Sequence, residues 1–313
     1  MRDDRLKTRT GFARLIRRPE FASLLGFIAI FVFFLSVAPA FRSFEALATT
    51  LYASSTLGIV ALAVGMLMIG GEFDLSSGVA VTTAALAATM LNYNLHLNSW
   101  VGAFLALGIS LAIGALNGFL VTRTGIDSFL ITLAAFLMLQ GLNLAVTKLV
   151  TGQVATPTIA DMEGFPSAHA VFAGEFHIGN VRISVTVLWW IFFVAVASFV
   201  LFRTKFGGWI TAVGGNADAA RAVGVPVRRV KILLFMGVGF AAWFVGMHTL
   251  FAFDSIQAGQ GVGNEFLYII AAVIGGCAMT GGRGTAVGTA IGALIFGMTN
   301  PVSYTHLRAH ETD

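Results

Sequence analysis

The sequence predicts an all-α fold, a polytopic bundle of membrane helices, and two observations carry that prediction. Hydrophobic residues make up 57% of the 313 positions and charged residues only 11%, more apolar mass than a soluble core absorbs. The apolar residues are also gathered into runs that approach the roughly 20 needed to cross a bilayer. Nine spans are expected, at residues 21–37, 51–69, 75–91, 100–121, 129–146, 183–202, 232–253, 266–279 and 285–299, the third, eighth and ninth being short.

Residues 1–18 form a basic leader, with Arg2, Arg5, Lys7, Arg9, Arg14, Arg17 and Arg18. Phe12, Leu15 and Ile16 share one helical face beside Arg14, Arg17 and Arg18, which reads as an interfacial helix on anionic lipid or, equally, as a disordered basic tail. The first run, followed by Ala38-Pro39-Ala40, also fits a secretory signal peptide. Both the run and the leader are longer than that pattern requires, so a retained span is expected.

The second and third spans are joined by Gly70-Gly71-Glu72-Phe73-Asp74-Leu75-Ser76-Ser77-Gly78. Its glycines let the backbone reverse, and Asp74, Ser76 or Ser77 is suited to cap the following helix. Thr280-Gly281-Gly282-Arg283-Gly284-Thr285 joins the eighth and ninth spans in a similar way, which suggests an internal repeat of the kind common in transporters. Small residues at four-residue spacing mark the fourth span (Gly102, Ala106, Ser110, Gly114, Gly118) and the ninth (Gly284, Gly288, Gly292). Such stripes let helices approach closely where lipid removes the hydrophobic drive between them.

Polar groups within the spans are few. No acid lies mid-span: Glu72, Asp74 and Asp127 fall at inner ends and Glu265 at an outer one, which argues against a proton- or sodium-coupled carrier. Gln140, Asn143 and His248 lie in the outer halves of their spans, where they either contact a hydroxylated solute or bond to a neighbouring helix. The single cysteine, Cys277, forms no intramolecular disulfide or metal cluster. The six histidines show no paired spacing, no Ser/His/Asp set comes to one side, and no lysine follows a P-loop glycine framework. Neither a catalytic residue nor a cofactor or metal site is expected, and any ATP is handled by another chain.

Charge sets the topology. Lys and Arg accumulate in cytoplasmic loops, and an inside amino terminus places the leader, Arg123, Arg283 and the whole stretch 203–231 (Arg203, Lys205, Arg221, Arg228, Arg229, Lys231) in the cytoplasm, leaving Arg42, Lys148 and Arg182 outside. The net charge of +4 is thus a topology signal, with no basic, aromatic-interleaved surface for nucleic acid.

Within that stretch, Asp218-Ala219-Ala220-Arg221-Ala222-Val223-Gly224 resembles the loop by which permease subunits of ATP-driven importers engage their ATPases. Ala219, Ala220 and Arg221 suit a short helix with a small, flat face, and Gly224 a left-handed stop. Taken with GGEFDLSSG and TGGRGTAVGTAIGAL, it makes the chain similar to permease subunits of the ribose, xylose and galactose class of ATP-binding-cassette importers, relatives of the branched-chain amino acid permeases. The resemblance covers most of residues 51–300. It implies a multi-pass protein of the bacterial inner membrane, paired with a second permease copy, two ATP-binding subunits and a periplasmic solute-binding protein. The solute it implies is a monosaccharide, with a branched-chain amino acid as alternative and a secondary carrier or channel as the rival class. It also implies that Asp218, Ala219, Ala220, Arg221 and Gly224 form the ATPase-coupling loop, Asp standing where the motif commonly has Glu.

The permease domain is expected over residues 19–300. Residues 301–313 are polar and unlike what precedes them, and are read as a non-native tail on a chain lacking a tenth span. If so, the face of the ninth span carrying Gly284, Gly288 and Gly292 is left without an intramolecular partner.

Overall fold

In the computed structural model, residues 19–309 are described, apart from residue 180. The interfacial-helix reading of Phe12, Leu15 and Ile16 falls outside them. The chain is helical over α1 (Pro19–Val37), α2 (Phe44–Ile69), α3 (Ser77–Leu95), α4 (Ser99–Thr124) and α5 (Ser128–Thr151). A connector then carries α6 (Phe165–Phe172) and two strands, β1 (Glu175–Ile178) and β2 (Val181–Ser184). After it come α7 (Val185–Arg203), α8 (Lys205–Gly215), α9 (Ala217–Ala222), α10 (Val227–Phe253), α11 (Asn264–Ile274) and α12 (Ala286–Ala309).

The protein is therefore a polytopic helical bundle. Among the described residues six helices, α1, α2, α4, α5, α7 and α10, are long and apolar enough to cross a membrane. The chain is mostly helical as expected, with one element the expectation lacked, the antiparallel β1–β2 hairpin, in which Glu175 pairs with Ser184 and Ile178 with Val181. Ile183, expected to open a span, lies in β2. Phe176, Ile178, Val181 and Ile183 alternate with polar residues on either side of a Gly-Asn dipeptide in the sequence, the signature of a strand pair. The run expected at 266–279 is helical only to Ile274, about 16 Å at 1.5 Å per residue. Conversely, α10 begins five residues before the apolar run, because Arg228, Arg229 and Lys231 are good helix formers that hydropathy alone excludes.

α2 and α10 are the axis of the bundle. About two-thirds (67%) of the apolar stretch of each is buried, against 6% for α1. α2 packs on α7, α10, α11 and α12, while α10 packs on α2, α3 and α4. The α4–α10 contact is backbone against backbone: a Cβ on Gly239 would strike the Ser110 carbonyl oxygen, and one on Gly114 that of Phe235. The small-residue stripe of α4 is buried along its length (Gly102, Ala106, Ser110, Gly114 and Gly118), facing α10 at Ser110, Gly114 and Gly118 and Asn92 of α3 at Gly102. The stripe on α12 does have an intramolecular partner, contrary to expectation. A Cβ on Gly288 would strike the Gly275 carbonyl, one on Gly292 that of Ala271, and one on Gly284, in the turn before the helix, would meet Cys277 Sγ at 2.7 Å. Helix α12 also continues across residue 300 as far as Ala309, within the stretch read as a tail.

Residues 70–76, between α2 and α3, tie several helices together. The Phe73 amide donates to Ser128 Oγ (3.0 Å) and the Leu75 amide to Thr132 Oγ1 (3.0 Å), both on α5. Asn117 of α4 donates to Ser76 Oγ (3.1 Å). Glu72 pairs with Lys231 of α10. None of Asp74, Ser76 and Ser77 caps α3 through its side chain as expected. Asp74 Oδ1 instead accepts from the Ser76 amide (2.8 Å) and hydroxyl (2.6 Å), closing the turn on itself. Burial pushes the Asp74 carboxyl up to about 6, with the two Ser76 bonds opposing.

Packing this close makes added volume costly. Gly239→Ala is expected to lower the thermal stability of detergent-solubilised protein by the order of 1–3 kcal/mol, the usual cost of overpacking. Gly108→Ala, with open space around it, should leave the melting temperature unchanged. For Asp74, the folded state binds a proton more readily than the unfolded chain, so stability declines as pH rises from about 4 to about 6. Asp74→Asn should flatten that part of a melting-temperature profile; an unaltered slope would assign it to another group.

Candidate functional site

Where α2 begins and α10 ends, the helices enclose a cavity of about 370 Å³, within the range of small-molecule sites. Helix α2 lines it with Thr49, Tyr52, Ala53, Thr56 and Leu57, which share one helical face by their three- and four-residue spacing. Val81 and Thr82 come from α3, and Val245, His248, Thr249 and Phe253 from α10. The α10–α11 connector adds Ile256, Gln260 and Gly261, and α11 adds Asn264, Leu267 and Tyr268. The polar lining consists of hydroxyls, amides and one imidazole. No Asp, Glu, Lys or Arg is among these residues.

The connector forms a fixed wall because its backbone is paired. The Ile159 amide donates to the Asp254 carbonyl and the Thr156 amide to that of Ile256, each at 3.0 Å, and the Ala258 amide donates to the Val154 carbonyl (2.9 Å). The Ile256 amide in turn donates to Thr156 Oγ1 (3.0 Å), and the Thr82 hydroxyl donates to the Gln260 carbonyl. Glu265, 2% exposed, accepts from the Gly263 amide with both carboxylate oxygens at 3.0 Å. Its place in the first turn of α11 also sets it at the positive end of that helix.

His248 has both ring nitrogens engaged. Nδ1 lies 2.8 Å from the Phe172 carbonyl oxygen, which only accepts, so Nδ1 carries a proton. In the neutral ring Nε2 then accepts from the Tyr52 hydroxyl at 2.9 Å. Tyr52 is thereby oriented, with its oxygen free to accept a further bond. The Phe172 backbone is itself held: its ring stacks on Phe251 at 5.7 Å between centroids and meets Trp243 and Phe244 edge-on.

A second, outer cavity of about 410 Å³ shares Thr49 and Tyr52 with the first and is lined further by Glu45, Ala48, Glu175, Val181, Arg182 and Ser184. The β1–β2 hairpin and the start of α2 thus form a charged vestibule, and Tyr52 stands between it and the neutral cavity. Of the residues expected on a solute path, His248 alone lines the inner cavity. Asn143 is buried between helices, accepting from Thr83 Oγ1 (3.0 Å) and donating to the Val79 carbonyl (3.4 Å). Gln140 is half-buried on α5 and lies outside both linings. Tyr52, Thr56, Thr82 and Tyr268 escaped the sequence reading. The polar face of α2, Thr49–Tyr52–Thr56 within an apolar run, was the available signal.

At the opposite end, α8 and α9 cross between α7 and α10. Asn216 caps α9, its Oδ1 accepting from the Ala219 amide at 2.9 Å, and Gly224 follows with φ +86°, a conformation only glycine adopts without strain. Asp218 and Arg221 pair at 2.8 Å while both remain largely exposed, a contact worth little to stability. Ala220 is 4% exposed and turned into the protein, so its small side chain serves internal packing and is not part of an outward face. Outward stand Asp218, Ala219, Ala222 and Val223, the last 80% exposed. Among the described residues no group of three or more His, Cys, Asp and Glu is placed to hold a metal ion.

Comparison with known proteins fits this arrangement. The chain is 31% identical over 283 residues to the ribose import permease protein of Escherichia coli (strain K12), covering 90% of this chain and 84% of that one. It is 30% identical over 289 residues to the ribose import permease protein of Haemophilus influenzae, covering 91% and 84%. It is 31% identical over 280 residues to the autoinducer 2 import system permease protein of Enterobacter sp. (strain 638), covering 89% and 77%. No solved structure matches it. Residues 46–310 match the family described as branched-chain amino acid transport system / permease component, and the chain belongs to that family of transport permeases.

Proposed function

We propose that this chain is a membrane-spanning subunit of an ATP-driven importer, admitting a monosaccharide at the Tyr52 end and releasing it at the α8–α9 end. The observation that carries the solute class is the neutral polar lining of the inner cavity. Sugar hydroxyls both donate and accept, and so are matched by Thr, Tyr, Asn and Gln side chains, with Tyr52, His248, Phe253 and Tyr268 as ring surfaces. A zwitterionic amino acid entering the same space would lose hydration from two charges with no opposite charge to meet them. The ribose permeases among the relatives support the sugar reading, while the family description names branched-chain amino acids.

The basic residues flanking α8 and α9, from Arg203 to Lys231, support a cytoplasmic position for that end and an inside amino terminus. α3, α11 and the apolar first part of α12 complete nine membrane-embedded elements, α11 entering without crossing. Two ATP-binding subunits would engage the outward face of α9, where Asp218, Ala219 and Val223 project and Gly224 ends the helix. A second permease copy completes the pore, and a periplasmic binding protein delivers solute to the vestibule of Glu45, Glu175 and Arg182. His248, bonded at both ring nitrogens, takes no part in proton coupling.

Reconstituted with its partners, the complex is expected to take up a labelled monosaccharide only when ATP is supplied and to keep doing so after collapse of the proton gradient. ATP-independent uptake abolished by a protonophore would overturn the importer reading. Tyr52→Phe and Asn264→Leu should each reduce uptake roughly two- to tenfold, the loss of one neutral hydrogen bond, with ATP hydrolysis retained. Uptake of leucine in preference to any sugar would transfer the assignment to amino acids.

A further inference from the structure

The carboxyl end of α8 is wedged between the two turns that close the cavity-lining hairpins. Residues 70–76 join α2 to α3, and residues 275–285 join α11 to α12; α2, α3 and α11 all line the inner cavity. The two turns touch, since the Gly282 amide donates to the Ile69 carbonyl at 2.8 Å. Gly214 of α8 sits against that bond: a Cβ there would strike the Ile69 oxygen and lie 2.7 Å from the Gly282 nitrogen. The fit is reciprocal, because a Cβ on Gly71 would lie 3.2 Å from the Gly214 Cα, and one on Gly281 2.6 Å from the Gly214 oxygen. Three backbone segments meet with no side chain between them. On its other side the first turn is anchored to α10 by the partly buried Glu72–Lys231 pair.

We propose that Gly214 is a positioning residue for transport, the point at which displacement of α8–α9 reaches both cavity-lining hairpins at once, with the Glu72–Lys231 pair making α10 move with the first turn. The inference rests on the reading of α9 as the ATPase contact. Close-packed backbone behaves as a rigid joint because it has neither void nor flexible side chain to absorb a shift. Movement of α8 therefore displaces the ends of α2 and α11 together. Those helices enclose the solute at their far ends, so their divergence opens or closes the cavity.

The test compares ATP hydrolysed per solute taken up in the full reconstituted assembly. Gly214→Ala is expected to retain its ATP-binding subunits and hydrolyse ATP near the wild-type rate while uptake falls about tenfold, within the usual range of coupling energies. Gly237→Ala, with open space around it on α10, should match wild type. An unchanged ratio in an assembled Gly214→Ala complex overturns the proposal. If that variant fails to assemble, Lys231→Gln decides, since its contact lies away from Gly214: a raised ratio supports the joint and an unchanged one overturns it. Wild-type protein that never retains ATP-binding subunits would instead overturn the reading of α9 beneath the proposal.

Discussion

Helix backbones in this protein touch each other directly, and the arrangement depends on that contact. Within a bilayer, apolar side chains gain nothing by leaving lipid for one another, so cohesion comes from close van der Waals packing. Gly239 against Ser110, Gly114 against Phe235, Gly288 against Gly275 and Gly292 against Ala271 each bring a Cα to a carbonyl of the next helix. These contacts fix the spacing of α4 to α10 and of α11 to α12. They leave the larger side chains of α2, α3, α10 and α11 to diverge at one end, and the inner cavity is the space so left.

The sequence made most of the bundle legible because the two signals it used, hydropathy and small-residue spacing, are the terms that govern helix formation and packing in lipid. The stripe on α4 was identified residue by residue. The failures have the same origin. Hydropathy does not see where a helix stops within an apolar run, so α11 was drawn past Ile274 to Met279. It does not see a helix continuing under charge, as α10 does at Arg228. The hairpin at Glu175–Ile178 and Val181–Ser184 was lost because only four residues on each side carry its period-two signal. The partner of the Gly284–Gly288–Gly292 face was missed because nothing in one sequence says that the helix just before it folds back upon it.

The cavity was the least legible part. Its lining is drawn from the start of α2, at Thr49, to the start of α11, at Tyr268, a separation along the chain that no local pattern encodes. Tyr52 and Tyr268 come to share one cavity only through the fold. Asn143 and Gln140 drew attention as amides in apolar helices, yet Asn143 bonds to α3 and serves the packing. Polarity within a span therefore marks either a helix contact or a solute contact, and the distinction lies in where the fold places a partner. Threonines are harder still, since Thr49 returns its hydroxyl to the Glu45 carbonyl at 2.9 Å while lining the cavity at the same time.

Neutrality of the cavity and charge at the two ends are linked. A site lined by no Asp, Glu, Lys or Arg offers an ion gradient little handle on solute affinity, because a ligand shifts an equilibrium only through differential interaction with its states. Energy for accumulation must then enter elsewhere on the chain. The α8–α9 end is suited to receive it: short helices stand outside the apolar spans, and the segment abuts both turns at Gly214 and runs directly into α10, whose far end carries His248. Helix α10 thus spans the distance from input to site as a single rigid element of 27 residues, about 40 Å at 1.5 Å per residue. His248 in turn fixes Tyr52 at the boundary between charged vestibule and neutral cavity. In the proposed importer, a displacement that tilts α10 would act through His248 on Tyr52, the residue that with Thr49 lines both compartments.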